Sequence, residues 1–229
     1  MIRPGRVAAI DPRHPAGPQI HEVLRRSIIT MRLRPRQKVS EAELALELGV
    51  SRTPVREALI KLAEDRLVEI LPQRGSFITP IRLHEVLEAR FIREALEIAV
   101  VRDAAASGRA AILGQLESLL QAQRAAARDK DLERFLDLDE AFHHTLSESI
   151  DKQRSWRLIQ TVKHQLDRVR YLSLPEPGNL AFLIRQHAAI AEAVLAGKPD
   201  KAETLMRAHL REVLRFIEEK HAKEPDLFE

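Results

Sequence analysis

Asp139, His143, His187 and His209 stand at positions where helical spacing places apolar side chains. One segment carries Leu132, Phe135, Leu136, Phe142, Leu146 and Ile150 on its inner stripe, and Asp139 and His143 fall on the same stripe. A second reads Leu183, His187, Ile190, Ala191, Val194, and a third Leu205, Met206, His209, Val213, Phe216. An unpartnered carboxylate or imidazole inside a helical bundle is strongly unfavourable. Such groups on three segments must therefore reach one another or a shared partner. One aspartate and three histidines form a ligand set for a divalent transition metal, with Asp139 and His143 at i, i+4 offering two donors from one helix. Zinc is the leading candidate, and nickel or manganese also suit. Taken singly, each histidine has a blander explanation, a hydrogen bond to a backbone carbonyl; only the ensemble argues for a metal. His144 lies on the opposite side of its helix, toward solvent.

An arginine interrupts a fourth stripe, Val86, Ala89, Arg93, Leu96, Val100, and Arg90 lies beside it. A guanidinium facing a cavity wants a carboxylate or phosphate held bidentately. An internal salt bridge to Asp139 or a glutamate would satisfy it equally well.

A different chemistry is written nearer the start. Gly49 can take the left-handed conformation that stops a helix, Ser51 can cap the next one, and Pro54 is tolerated in its first turn. Arg52 and Arg56, four apart, share a face, while Val55, Leu59 and Leu62 form the buried stripe. A short helix, Leu44 to Leu48, precedes the turn, giving the helix-turn-helix arrangement that lays a recognition helix in the DNA major groove. Leu67–Leu71 and Ser76–Thr79 read as two strands around a turn at Pro72-Gln73-Arg74-Gly75, a two-stranded wing.

The scaffold for both chemistries is mainly α. The 229 residues are 45% hydrophobic and 31% charged, with sparse glycine, which fits a soluble helical protein of two domains. Residues 1–18, rich in proline, read as a flexible tail; 19–80 as a winged helix-turn-helix; 83–220 as an antiparallel bundle of six helices; 221–229 as a C-terminal tail. The fourth bundle helix is predicted over Gln153 to Leu174, and a linker of about three residues couples the domains closely. No apolar run is long enough to cross a bilayer and no signal-type segment opens the chain, so a cytoplasmic protein without a membrane partner is expected. The absence of cysteine excludes disulfides and thiolate metal sites. Residues 1–80 hold 14 Lys and Arg against 9 Asp and Glu, whereas the remainder holds 23 against 25. The positive excess at the front suits phosphate binding by counterion release.

Residues of about 19 to 80 resemble the winged helix-turn-helix of the GntR family of bacterial transcription regulators, through Ser40-Glu41-x-x-Leu44-Ala45, the run from Gly49 to Leu59, and Arg74-Gly75-x-Phe77. The resemblance implies that Ser51, Arg52, Thr53 and Arg56 contact phosphates and base edges of operator DNA. Arg74 and Gly75 would belong to the wing near the minor groove. Arg36 and Arg66 stand where relatives usually have glycine; if those positions need positive φ, each arginine costs about 1 kcal/mol. Residues of about 83 to 220 resemble the all-helical FCD effector domain of the FadR subfamily, through Arg93-Glu94-Ala95-Leu96-Glu97, Asp139-x-x-Phe142-His143-x-x-Leu146, His187 and His209. In the metal-containing branch, those four positions are the ligands. The resemblance further implies a small organic acid beside the metal, its carboxylate neutralised by Arg93 with Arg90 nearby. The expected protein is a homodimeric regulator, a repressor or less often an activator, and not an enzyme. Two alternatives remain: a metal-dependent hydrolase fused to a DNA-binding module, since the ligand set leaves coordination positions open, and a constitutive regulator with a purely structural metal.

Overall fold

The structure is a computed structural model that describes residues 10–107 and 112–229, in two compact units. The first comprises the described residues through Leu83 together with His221–Glu229; the second is His84–Lys220.

In the first unit, α1 (Ala16–Ile29), α2 (Glu41–Leu48) and α3 (Arg52–Glu64) pack with β1 (Lys38–Val39), β2 (Val68–Leu71) and β3 (Gly75–Ile78). Their stripes meet in one core of Ile20, Leu24, Ile28, Leu44, Val55, Leu59, Leu62 and Ile78. The Ser40 side chain accepts from the Glu43 backbone N–H to start α2, and Gly49 at φ 66° ends it. The wing is three-stranded, in antiparallel order β1-β3-β2, because Lys38 and Val39 pair with Phe77 and Ser76 on the free edge of β3. Arg36 and Arg66 do take left-handed backbone, at φ 64° and 59°. The turns survive because the backbone N–H of Arg36 donates to Ile78 (2.8 Å) and that of Arg66 to Ala63 (3.0 Å).

Both predicted tails differ from expectation. Residues 1–9 lie outside the described residues, but helix begins at Ala16, and the Asp11 backbone N–H donates to Gln19 Oε1 at 2.8 Å. At the other end, Ile81 N–H donates to the Leu227 carbonyl (2.8 Å) and Glu229 N–H to the Ile81 carbonyl (2.9 Å). Phe228 is buried there. Satisfying those backbone groups holds the terminus as a parallel bridge.

The second unit is all α: α4 (Leu83–Ser107), α5 (Ile112–Asp129), α6 (Leu132–Ser149), α7 (Gln153–Val162), α8 (His164–Ser173), α9 (Asn179–Leu195) and α10 (Pro199–Lys223). Its core joins Val101, Leu116, Phe142, Leu146, Ile190, Val194, Met206 and Leu210. The expected break at Gly108 and start at Arg109 lie outside the described residues. Gly197, at φ 62°, and Pro199 end α9 and begin α10 as anticipated. The helix predicted from Gln153 is split in two at Lys163, so seven helices are described where six were expected. Buried Lys163 turns inward there, its Nζ 2.8 Å from Glu140 and in contact with Asp167, and those ion pairs offset the lost helix bonds.

Candidate functional site

The four misplaced polar residues converge. α6 supplies Asp139 and His143, one turn apart, α9 supplies His187, and α10 supplies His209; all are buried. One donor atom from each lies within 4.8 Å of the others. His209 Nε2 is 3.2 Å from His143 Nε2 and 3.3 Å from His187 Nε2. Asp139 closes the group, Oδ1 3.6 Å from His187 Nε2 and Oδ2 3.8 Å from His143 Nε2. Ligand-to-ligand edges of about 3.3–3.4 Å are what a tetrahedral zinc site with Zn–N bonds of 2.0–2.1 Å requires.

Outer partners fix which nitrogen faces the centre. His187 Nδ1 meets Gln123 Oε1 at 3.0 Å, and the Gln123 amide cannot be reversed without losing the bond from its Nε2 to the Leu138 carbonyl at 3.1 Å. His209 Nδ1 meets Gln186 Oε1 at 2.9 Å. His143 Nδ1 lies 2.5 Å from Glu97 Oε2. An imidazole whose Nδ1–H donates outward presents an Nε2 lone pair inward. Burial pushes His187 down to about 3 and His209 well below its ordinary value, so both rings are neutral near pH 7. Burial raises Asp139, but the charge of Arg170 foremost outweighs it and holds the carboxyl below its ordinary value. Glu97 behaves likewise, brought down to about 2 by Arg93 and His143 against the effect of burial. Lone pairs facing one another at such distances repel unless a proton or a cation lies between them. Three imidazole nitrogens and a carboxylate oxygen thus fit a divalent cation, and all four predicted ligands are in the group.

The site opens on one side. Asp139 and His209 line a cavity of about 430 Å³ whose polar end also carries Arg90, Arg93 and Arg170. Arg93 and Arg90 line this cavity and are also held in internal salt bridges. Arg93 Nε pairs with Glu97 and Arg90 Nη1 with Glu94 at 2.5 Å. Yet Arg93 Nη2, buried, has no acceptor. Sequence reasoning missed Gln123, Gln186 and Glu97, and it missed Arg170, which contacts Asp139 and Glu140 and lies 2.8 Å from Asp167. His144, expected in solvent, is half-buried against Trp156 with ring centroids 5.6 Å apart.

The first unit holds the other predicted set. Ser51, Arg52, Thr53 and Arg56 are exposed together at the start of α3, and Arg74 is exposed at the wing tip. Ser51 occupies the N-cap position with extended backbone, φ −74° and ψ 166°, but without the expected side-chain hydrogen bond. Gly75 has φ 108°, which favours glycine; a Cβ there would meet only the end of the movable Lys38 side chain. A further residue is Glu41 in the first turn of α2. It accepts from Arg56 Nε and Nη2 at 3.0 Å and from Arg52 Nη2 at 3.3 Å, and Arg56 foremost keeps its carboxyl below the ordinary value.

Among the described residues, no helix is long and apolar enough to cross a membrane. Residues 17–78 match the family described as bacterial regulatory proteins, gntR family, and residues 85–212 match the FCD domain. The chain is 38% identical over 219 residues to the HTH-type transcriptional repressor RspR of Escherichia coli K12, covering 96% of each. It is 41% identical over 209 residues to an HTH-type transcriptional regulator in an unstable DNA locus of Streptomyces ambofaciens, covering 91% of this chain and 88% of that one. The fold is shared with E. coli McbR/YncC, at a TM-score of 0.77 and 19% identity over 90% of this chain and 98% of that one. The two sequence relatives are named as transcriptional regulators. A helix-turn-helix head, a wing and an FCD bundle in one chain, matched along nearly its whole length, place this protein in the GntR family as a DNA-binding transcriptional regulator.

Proposed function

We propose that the protein is a homodimeric, metal-dependent sensor of a small carboxylic acid that represses transcription from an operator. The convergence of three Nε2 lone pairs on Asp139, with each Nδ1 held from outside, carries this reading. Asp139, His143, His187 and His209 would hold the ion, zinc foremost, with nickel or manganese as other occupants. When bound, the ion supplies a positive charge able to take an anionic oxygen. Arg93 Nη2, buried beside the cavity without an acceptor, gives an acid its second contact, with Arg90 next to it. Ser51, Arg52, Thr53 and Arg56 would read DNA, with Arg74 and Gly75 against the minor groove. The acid modulates operator binding only insofar as it binds two arrangements of the protein unequally. The repressor sense follows the relative RspR.

A two-fold operator needs two heads. On α4, Leu87 is 46% exposed and Phe91 66% exposed, followed on the same face by exposed Ala95 and Ala99. Antiparallel pairing with a second copy about Ala95 would set Phe91 over the second copy's Ala99, large on small, and exposed Glu88 opposite Arg102.

The test is metal analysis of the purified protein followed by operator retardation with and without candidate acids. Expected are one ion per chain, loss of retardation in Arg52→Ala and Arg56→Ala, and release by an acid. Retention of sequence-specific retardation in both arginine variants would refute the reading head. A metal-bearing protein whose DNA affinity and melting temperature no acid alters would leave the metal purely structural.

A further inference from the structure

Resting on that acid-sensing reading, we infer that the cavity takes a monocarboxylic acid with an apolar body, a straight-chain or aryl acid, rather than a sugar acid or a polycarboxylate. Its wall changes character with distance from the metal centre. Along α10 the lining residues include His209, Val213, Phe216 and Glu219, one face of the helix, flanked by Leu210, Glu212 and Arg215. At 1.5 Å per residue, Phe216 lies about 10 Å and Glu219 about 15 Å along the helix from His209. Opposite, α9 contributes Phe182 and Leu183, and α8 Leu166. An acid held at Arg93 Nη2 would therefore lay roughly two helical turns of its length on apolar side chains.

The polar groups on the rest of the wall argue against more heavily oxygenated ligands. Among the described residues the neutral polar side chains there are Ser173 and Asn179. Both have committed their donors, Ser173 Oγ to the Arg170 carbonyl at 2.7 Å and Asn179 Nδ2 to the Ser173 carbonyl at 2.7 Å. Sugar hydroxyls laid along Val213, Phe216, Phe182 and Leu183 would exchange water for apolar contacts there. A second carboxylate would meet Glu176, Glu212 and Glu219, while the nearby cation Arg215 is already paired with Glu212 at 3.2 Å. One anionic end, one apolar body and no second charge is the chemistry these walls recognise.

The experiment is calorimetric titration of the full-length, zinc-loaded protein with butanoate, hexanoate and octanoate, and with malate and gluconate. Affinity is expected to rise about threefold to fourfold for each methylene added, with malate and gluconate weaker than hexanoate. In Phe216→Ala, at a half-buried position, the rise should flatten while butanoate affinity stays within about twofold, because the lost wall faces the chain and not the carboxylate. A series with no slope, tighter binding of malate or gluconate than of octanoate, or a slope untouched by Phe216→Ala would overturn the inference and leave acid sensing standing. Failure of every acid to bind a protein that retains its zinc would defeat both.

Discussion

Gln123 offers the sharpest trial of the metal centre, because it touches no predicted ligand atom and acts only through a ring. It is fully buried, accepts from His187 Nδ1 at 3.0 Å and donates to the Leu138 carbonyl at 3.1 Å. Gln123→Leu keeps the volume and removes the acceptor. Two effects follow. The orphaned Nδ1–H costs the metal-free fold about 1–3 kcal/mol. The ring can avoid that cost by moving its proton to Nε2, which then faces His209 Nε2 and Asp139 and no longer presents a lone pair. Loss of an orienting partner lowers metal affinity about 10- to 100-fold, or roughly 1.4–2.7 kcal/mol.

At zinc concentrations well above the dissociation constant, that amount is subtracted in full from the stabilisation that zinc confers. For a protein of this size, at about 2–4 °C per kcal/mol, the zinc-induced rise in melting temperature should shrink by roughly 3–11 °C. Calorimetric melting of metal-free and zinc-loaded protein, with zinc affinity from competition against a chromophoric chelator, separates the two effects. Gln123→Glu, which keeps an acceptor and makes it a carboxylate, should bind zinc at least as tightly as the wild type. A Gln123→Leu protein that melts lower without zinc but binds zinc within about twofold of wild type would refute the tautomer argument, since the expected loss is at least tenfold.

Three further outcomes are expected. Arg170→Met strips the guanidinium from among Asp139, Glu140 and Asp167 and should cost about 3–5 kcal/mol in a denaturant titration; a loss under about 1 kcal/mol would mean that water already screens these charges. Glu41→Gln frees Arg52 and Arg56 from their carboxylate and should strengthen binding to a scrambled duplex more than to the operator, narrowing the specificity ratio. An unchanged ratio would remove Glu41 from the reading head. Phe91→Glu places two like charges in the proposed α4 contact, and sedimentation should then report a monomer; a dimer of wild-type strength would move the interface elsewhere.

The parts of the fold legible in the sequence are those set by local rules. Gly49 had to end α2 because φ 66° suits glycine, and Gly197 with Pro199 marked a boundary for the same kind of reason. β1 escaped notice because two residues carry no alternation, and its existence depends on the edge that β3 offers from nearly forty positions away. The break at Lys163 was hidden because the apolar stripe runs on through it. The lysine's acceptor Glu140 sits on another helix, where spacing says nothing of it. The pairing of Ile81 with the terminus is backbone hydrogen bonding, which leaves no mark on side-chain pattern.

The candidate site divides along the same line. Periodicity identifies a polar group that faces the core, because that is a property of one helix. What satisfies the group is a property of several. Asp139 shows the difference: one carboxylate oxygen faces His187 while the other is taken by Arg170 from α8, within a stretch, Lys163 to Arg170, that reads from sequence only as part of one continuous helix. Gln123 and Gln186 are neutral amides whose place on a helix gives no sign of an imidazole 64 and 23 residues away. Yet these unannounced partners, more than the ligands, decide the chemistry. With Nδ1 free, each histidine could turn either nitrogen inward and satisfy its neighbour as donor to acceptor, and the cluster would be an ordinary buried hydrogen-bond network. With His187 Nδ1 committed to Gln123, and with Gln186 and Glu97 beside the other two Nδ1 atoms, the arrangement favours Nε2 lone pairs that face one another, which a cation would resolve.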